Sequence, residues 1–394
     1  GHAIHRTSDA HGFDFNWRDS YGGHNVARAA LRGTSLKDMP DRYPLVEQNG
    51  EKKRIEKGQI CFTHPANVRG AIETAASYLK EHPRVTTYSM SLQDRGGFCV
   101  CDRCVEANGG VLPSKRPDRV VWKFMNKVAR GLRKKVPDGR IYFLATYGHM
   151  TRPPEGVKAA DGIVAVTAHV RNNSKNITNP DCPYNRVYYD NIKAVQSTGA
   201  LLRSYDYIMF GGTPQPLTIL DAIRTYNDLD YMGYQAERMG RDRHSNIVAW
   251  VMSRLVWDPS RDPEALLKTF CDKYYGPAGP AVLEVLHLID ESCRRLQSVV
   301  IGSVGTTQEI MTEQVIQEGR RILERARKKV SGREGKRLRN FIDTFEMFAR
   351  EGETIRAAYR AMITRDAADK RKALASLDGF AEFWDQRDLS ATCS

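Results

Sequence analysis

No apolar run in this chain approaches the ~18 residues that a membrane-spanning helix needs, which excludes a helical span. No GxGxxG and no GxxxxGKS or GxxxxGKT follows a strand-like segment, so the phosphate cradles of dinucleotide and P-loop enzymes have no support. The opening residues, GHAIHRTSDAHGFDF, are polar and histidine-rich, without the apolar centre of a secretory leader. They also lack methionine, and the chain reads as a processed or truncated piece. What is present is ordinary: 41% hydrophobic and 27% charged residues describe a globular chain rather than a disordered one. At 394 residues it is long enough for one large domain and a smaller one.

The formal net charge of +13 raises a nucleic-acid reading. Much of the excess lies in Arg320-Arg321, residues 325–329 and residues 333–339, interleaved with Glu318, Glu324, Glu334 and Asp343 at helical spacing. That interleaving describes a solvated helix face, so neither a nucleic-acid nor a membrane partner is expected. A zinc-stapled nucleic-acid binder would need a continuous basic surface instead.

Up to about residue 260, short β-type runs alternate with amphipathic stretches. The strand candidates are residues 85–92, 140–146, 163–168, 201–207 and 232–235, and the helical stretches are 67–80, 120–135, 190–196 and 216–228. Such alternation predicts βα units around a parallel sheet, either doubly wound or closed. Polar and aromatic side chains follow successive strands: Asp94, Tyr147 with His149, His169, Asp206 with Tyr207, and Glu237. Functional groups at many strand ends are what a barrel active site requires. The expected fold is therefore α/β, a (β/α)8 TIM barrel over residues 1–260 whose first one or two strands are either missing or not legible. An all-α C-terminal domain over 261–394 follows, with helices at 263–275, 280–299, 306–330, 333–361 and 365–377.

Asp94, Asp206 and Glu237 would converge at the mouth of such a barrel. Paired carboxylates across a sugar serve as acid and nucleophile, or as acid and base. Glu237, in the apolar setting Tyr234-Gln235-Ala236, suits a general acid/base and Asp94 its partner. The competing structural role pairs each with a nearby arginine: Arg95, Arg203 and Arg238 respectively. Expected substrate contacts are His24 after a Gly22-Gly23 turn, Tyr147, His149, Asp206, Tyr207, Gln235 and Arg95. Aromatic faces cover sugar C–H surfaces while amides and charges meet hydroxyls.

Of eight cysteines, only Cys99, Cys101 and Cys104 cluster; Cys271, Cys293 and Cys393 read as ordinary thiols. With Cys182 as fourth ligand, or Cys61, the cluster makes a closed structural zinc site. A disulfide, Cys101 to Cys104 or a bridge to Cys182, and free thiols are the other readings. A catalytic metal is not expected, because four thiolates leave no open position.

Several segments resemble the large bacterial family called domain of unknown function 4838. They are Gly22-Gly23-His24-Asn25, Tyr43-Pro44-Leu45-Val46 with Asn49-Gly50, and residues 59–65 (QICFTHP). Residues 89–104 (SMSLQDRGGFCVCDRC), 181–185 (DCPYN) and Tyr205-Asp206-Tyr207 come next. The last are residues 254–259 (RLVWDP) with 274–278 (YYGPA). That family is similar to glycoside hydrolase family 163, which implies a TIM-barrel catalytic domain and endo-β-N-acetylglucosaminidase activity on N-glycans. It also implies an extracytoplasmic location, and an N-terminal α/β domain and opening barrel strands ahead of the matched segment. Where the family tends to have Pro-Asn-Asp, this chain has Leu92-Gln93-Asp94, keeping the carboxylate. The expected function is glycoside hydrolysis by a carboxylate acid/base pair, without a catalytic cofactor. The rival is a non-catalytic carbohydrate-binding or scaffold protein derived from such a barrel.

Overall fold

In a computed structural model, residues 25–94, 96–148, 150, 152–168, 172–208, 214, 216–238, 243–296 and 304–385 are described. Their strands are β1 (Leu45–Gln48), β2 (Glu51–Arg54), β3 (Thr87–Ser89), β4 (Arg140–Thr146), β5 (Ile163–Ala168), β6 (Leu201–Ile208) and β7 (Tyr231–Arg238). The helices of the first half are α1 (Val26–Leu31), α2 (Pro65–Glu81), α3 (Asp102–Ala107), α4 (Asp118–Lys135), α5 (Pro183–Gln196) and α6 (Asp221–Asp228). Those of the second half are α7 (Arg243–Trp257), α8 (Pro263–Tyr275), α9 (Gly279–Arg294), α10 (Val304–Ile310), α11 (Glu313–Arg327), α12 (Gly332–Thr364) and α13 (Ala367–Asp385).

All six residues of β5 are buried, the pattern of a strand covered on both faces. It is the middle of a five-stranded sheet in the order β3-β4-β5-β6-β7, every pair parallel. A doubly wound sheet reverses its strand order at a switch point, whereas this one steps in one direction throughout. Right-handed crossovers then lay the connecting helices on one face. Ile141, Phe143, Ala145, Ile163, Ala165 and Leu202 meet α2 and α4 on that face. Tyr142, Leu144, Val164, Val166 and Ala168 form a separate cluster on the other.

The expected eight-stranded TIM barrel is corrected: the sheet is a five-stranded parallel half-barrel, with β3 and β7 as its edges among the described residues. The five strand candidates all form, but closure needs eight strands, and the neighbouring described segments go elsewhere. Among the described residues β1 and β2 form their own two-stranded sheet, antiparallel, through Asn49 (φ 53°) and Gly50 (φ 82°). Positive φ at both turn residues matches the right-handed twist of a tight hairpin. After β7 the described chain is helical.

The C-terminal helices form one apolar body around Leu266, Val285, Ile289, Phe341, Phe345 and Phe348. The same cluster reaches back through Val248 and Val251 of α7 to Leu217 and Ile219. Packing thus ties α7 to the helical body, while the division expected at residue 260 falls just beyond α7's end. Asp262 caps α8 by accepting from the N–H groups of Glu264 and Ala265, both at 3.2 Å. The helix expected over 306–330 is broken in two because the Thr312 hydroxyl accepts from Val315 N–H and starts α11 afresh. Part of the basic excess is met by carboxylates, as where Arg320 pairs with Glu346 at 2.8 Å and Glu353 at 3.2 Å. No described helix is long and apolar enough to cross a membrane.

Helix α2 approaches α1 at Gly70, where a Cβ would stand 2.2 Å from the Ala30 carbonyl oxygen. Backbone cannot yield as a side-chain tip does. Gly70→Ala is expected to destabilise the fold by about 1–3 kcal/mol despite alanine's better helix propensity. Urea unfolding measures it, and a stabilised variant would show that α1 sits further away.

Candidate functional site

Parallel strands share a direction, so their C-terminal ends line one edge of the sheet. Asp94, exposed, follows β3; Tyr147 follows β4 directly and closes a turn in which Met150 N–H donates to its carbonyl at 3.0 Å. Glu237 occupies the penultimate position of β7, its backbone in register with Tyr207 of β6. His24, Arg95, His149 and His169 lie outside the described residues, as do the side chains of Tyr207 and Glu237.

Gln235 of β7 is buried and in register with Tyr205 of β6. Tyr205 and Tyr147 both pack against the cluster of Tyr142, Leu144 and Val166, on the face away from α2 and α4. Arg203, two residues before Tyr205, is buried beside Tyr142; burial lowers its guanidinium to about 10, and Tyr142 opposes the shift. A buried cation on this face is a site feature that sequence reasoning missed, treating Arg203 only as a counter-ion for Asp206. Its signal was strand alternation: residues 203 and 205 share one side.

The same alternation turns Asp206 the other way. Its carboxylate is buried and accepts from the hydroxyls of Tyr226 on α6 at 3.1 Å and Tyr234 at 3.4 Å. The Tyr226 hydroxyl lies 2.8 Å from that of Tyr188 on α5. Burial, with Tyr188 and Asp206 adding to it, pushes the neighbouring Tyr231 phenol well above its ordinary range. Asp206 therefore belongs to a tyrosine nest beneath the helices, and the expected convergence of three carboxylates is not what the fold builds. Neither does it pair with Arg203, which alternation puts on the opposite face.

The segment after β3 is held from below. Gln59, 1% exposed, donates through Nε2 to the Gln93 carbonyl at 2.8 Å and accepts from Gln93 N–H at 3.1 Å. This two-bond clasp fixes the residue next to Asp94. Two residues beyond Gln59 is Cys61, which joins Cys99, Cys101 and Cys104 in a group whose sulfurs all lie within 4.8 Å of one another. Cys61 is thus the fourth member, and the expectation of Cys182 is corrected. Cys182 sits at the N-terminal boundary of α5, outside that group. Hydrogen bonds from Cys104, Cys61 and Cys99 hold the Cys101 thiol well below the usual range, with burial opposing them. The signal for Cys61 was present in residues 59–65, but only folding joins it to a cluster some forty residues away.

The residues 181–185 have an architectural task. Pro183 opens α5, and the fully buried Asn185 donates to the carbonyls of Asn172 (3.0 Å), Lys175 (3.1 Å) and Asn176 (2.9 Å). It also accepts from Asn172 N–H at 2.9 Å, which shapes the loop after β5. Thr218 donates to the Asn173 carbonyl at 2.6 Å, and Lys175 donates to the Arg294 carbonyl at the end of α9. The helical body is thereby attached at the edge where the strands end.

Fold and site define an α/β protein whose parallel half-barrel presents polar strand ends along one edge. Residues 5–287 match the family described as Domain of unknown function (DUF4838), and the chain belongs to that family. Among solved structures it is similar to one described as "A novel family GH115 4-O-Methyl-alpha-glucuronidase, BtGH115A, with specificity for decorated arabinogalactans". The identity is 14% and the TM-score 0.49, over 82% of this chain and 44% of that one. A second, described as "Structure of CpGH84B", gives 11% identity and a TM-score of 0.34 over 79% of this chain and 64% of that one. The chain therefore spans less than two thirds of either structure. No curated protein matches it.

Proposed function

We propose that this protein acts on carbohydrate as a glycoside hydrolase, with Glu237 as general acid/base and Asp94 as its partner. The observation that carries the reading is the shared direction of five consecutive strands, which lines Asp94, Tyr147 and Glu237 along one sheet edge. In this reading Tyr147 and Tyr207 cover sugar faces, while His24, His149, Gln235 and Arg95 meet hydroxyls. Asp206 acts indirectly, by holding β6 and β7 against α6.

β3 and β7 stand four strand steps apart, about 19 Å along a flat sheet at ~4.8 Å per step. A carboxylate pair works at roughly 5–10 Å, so the sheet's curvature has to draw the two ends together. A substrate carrying an N-acetyl group relaxes that demand. Its carbonyl oxygen attacks the anomeric carbon while Glu237 protonates the departing glycosidic oxygen, and Asp94 needs only to hold the amide. Water, deprotonated by Glu237, then opens the cyclic intermediate. The resemblance to glycoside hydrolase family 163 supports this version and directs it to N-glycans met outside the cytoplasm.

The open sheet favours one second reading, a carbohydrate-binding protein that no longer cuts. Incubation of the protein with a panel of N-glycans and N-acetylglucosamine oligomers separates the two. Released reducing ends are expected; binding without product selects the binder, and neither binding nor product overturns the proposal.

A further inference from the structure

We propose that Cys61, Cys99, Cys101 and Cys104 hold one zinc ion in a closed tetrathiolate site that sets the position of the Asp94 segment. The distances suit it. Four sulfurs at about 2.3 Å from a tetrahedral zinc stand about 3.8 Å from one another. The Cys61 sulfur lies 3.7 Å from that of Cys104 and 3.9 Å from that of Cys101.

Buried cysteines packed as small hydrophobes would also touch, so contact alone does not decide. Three further features do. The thiols come from separate stretches: Cys61 precedes α2, Cys99 lies in the loop after β3, Cys101 is the N-cap of α3 and Cys104 lies in its first turn. Polar donors aim at the sulfurs, as thiolate ligands require: Leu45 N–H donates to Cys99 Sγ at 3.3 Å, and the Thr63 hydroxyl lies 3.2 Å from Cys104 Sγ. Finally, Cys101-x-x-Cys104 forms a tight turn with the Cys104 N–H donating to the Cys101 carbonyl at 2.9 Å, the ligand spacing of structural zinc loops.

An ion with four thiolates has no open position and performs no hydrolysis. Its effect is on geometry. It joins the Cys61 stretch to the Cys99–Cys104 stretch, and Gln59 carries that fixation to Gln93 through its two bonds. Asp94 is the next residue. Zinc here is a staple for the loop that bears a candidate catalytic carboxylate.

The test uses the full chain, purified without added metal or chelator. Elemental analysis is expected to find about one zinc per chain. Cys61→Ala and Cys104→Ala should lose it, while Cys182→Ala keeps it and Cys101→His retains it through an imidazole nitrogen. Where an alanine variant does not fold, the wild-type chain is stripped with a chelator and reloaded with cobalt(II), which should give the visible bands of a tetrahedral thiolate site. Stripping should also expose residues 93–104 to protease, and zinc should reverse it. A metal-free chain lighter by four hydrogens would overturn the site in favour of two disulfides. One iron per chain would overturn the choice of zinc, and metal loss in Cys182→Ala would overturn the ligand set. The glycan panel is independent of all these outcomes, so failure of the zinc site leaves the glycosidase reading standing.

Discussion

Glu237→Gln is expected to lower turnover by about a hundred- to ten-thousand-fold, the contribution of a positioned general acid/base, while thermal unfolding stays as in the wild type. Glutamine keeps the size and hydrogen-bonding reach of glutamate but cannot give or take the proton. The strand should accept it, since the backbone register of Tyr207 with Glu237 and of Ile208 with Arg238 does not depend on the carboxyl group. A substrate with an acidic aryl leaving group needs little protonation, so the variant should recover cleavage there selectively. Asp94→Asn should show no such recovery. The limb of the pH–rate profile that reports the general acid should vanish in Glu237→Gln. Unchanged hydrolysis of a natural glycan would place the acid elsewhere.

Trp122→Ala is expected to cost about 3–5 kcal/mol of stability, enough to consume much of the margin of an ordinary domain. Trp122 is fully buried on α4 and meets Phe143 of β4 edge-on, with centroids 5.1 Å apart at 83°. Alanine leaves a void between helix and sheet that close-packed neighbours fill only in part. Trp122→Phe should cost far less, for two reasons. It retains most of the apolar volume, and it removes an indole N–H that has no hydrogen-bond acceptor among the described residues. Urea denaturation of both variants orders them, and an alanine cost below that of phenylalanine would mean that α4 does not seal this face of the sheet.

Much of this architecture was legible locally. Residues 163–168 announce a strand by their β-type, mostly apolar character, and β5 matches them end to end. Asp262 and Pro263 mark the start of α8, and the expected and observed helices agree at both ends. These signals depend on neighbours a few residues apart. The number of strands does not: the sequence displays βα units without stating whether they close, and the barrel expectation failed on that count. Thr312 shows the same limit on a smaller scale, because apolar periodicity runs through a cap that only the local backbone turns into a break.

The candidate site divides along the same line. By itself, the sequence determined that Asp94, Tyr147 and Glu237 stand at strand ends and that three cysteines crowd one loop, since chain order and strand period carry that information. Only the tertiary structure decided that Asp206 faces tyrosines beneath the helices, that Arg203 is buried beside Tyr142, and that Cys61 rather than Cys182 completes the sulfur group. The physical reason is that a one-residue step in a strand reverses a side chain's direction, while distant segments meet only after the core between them is packed.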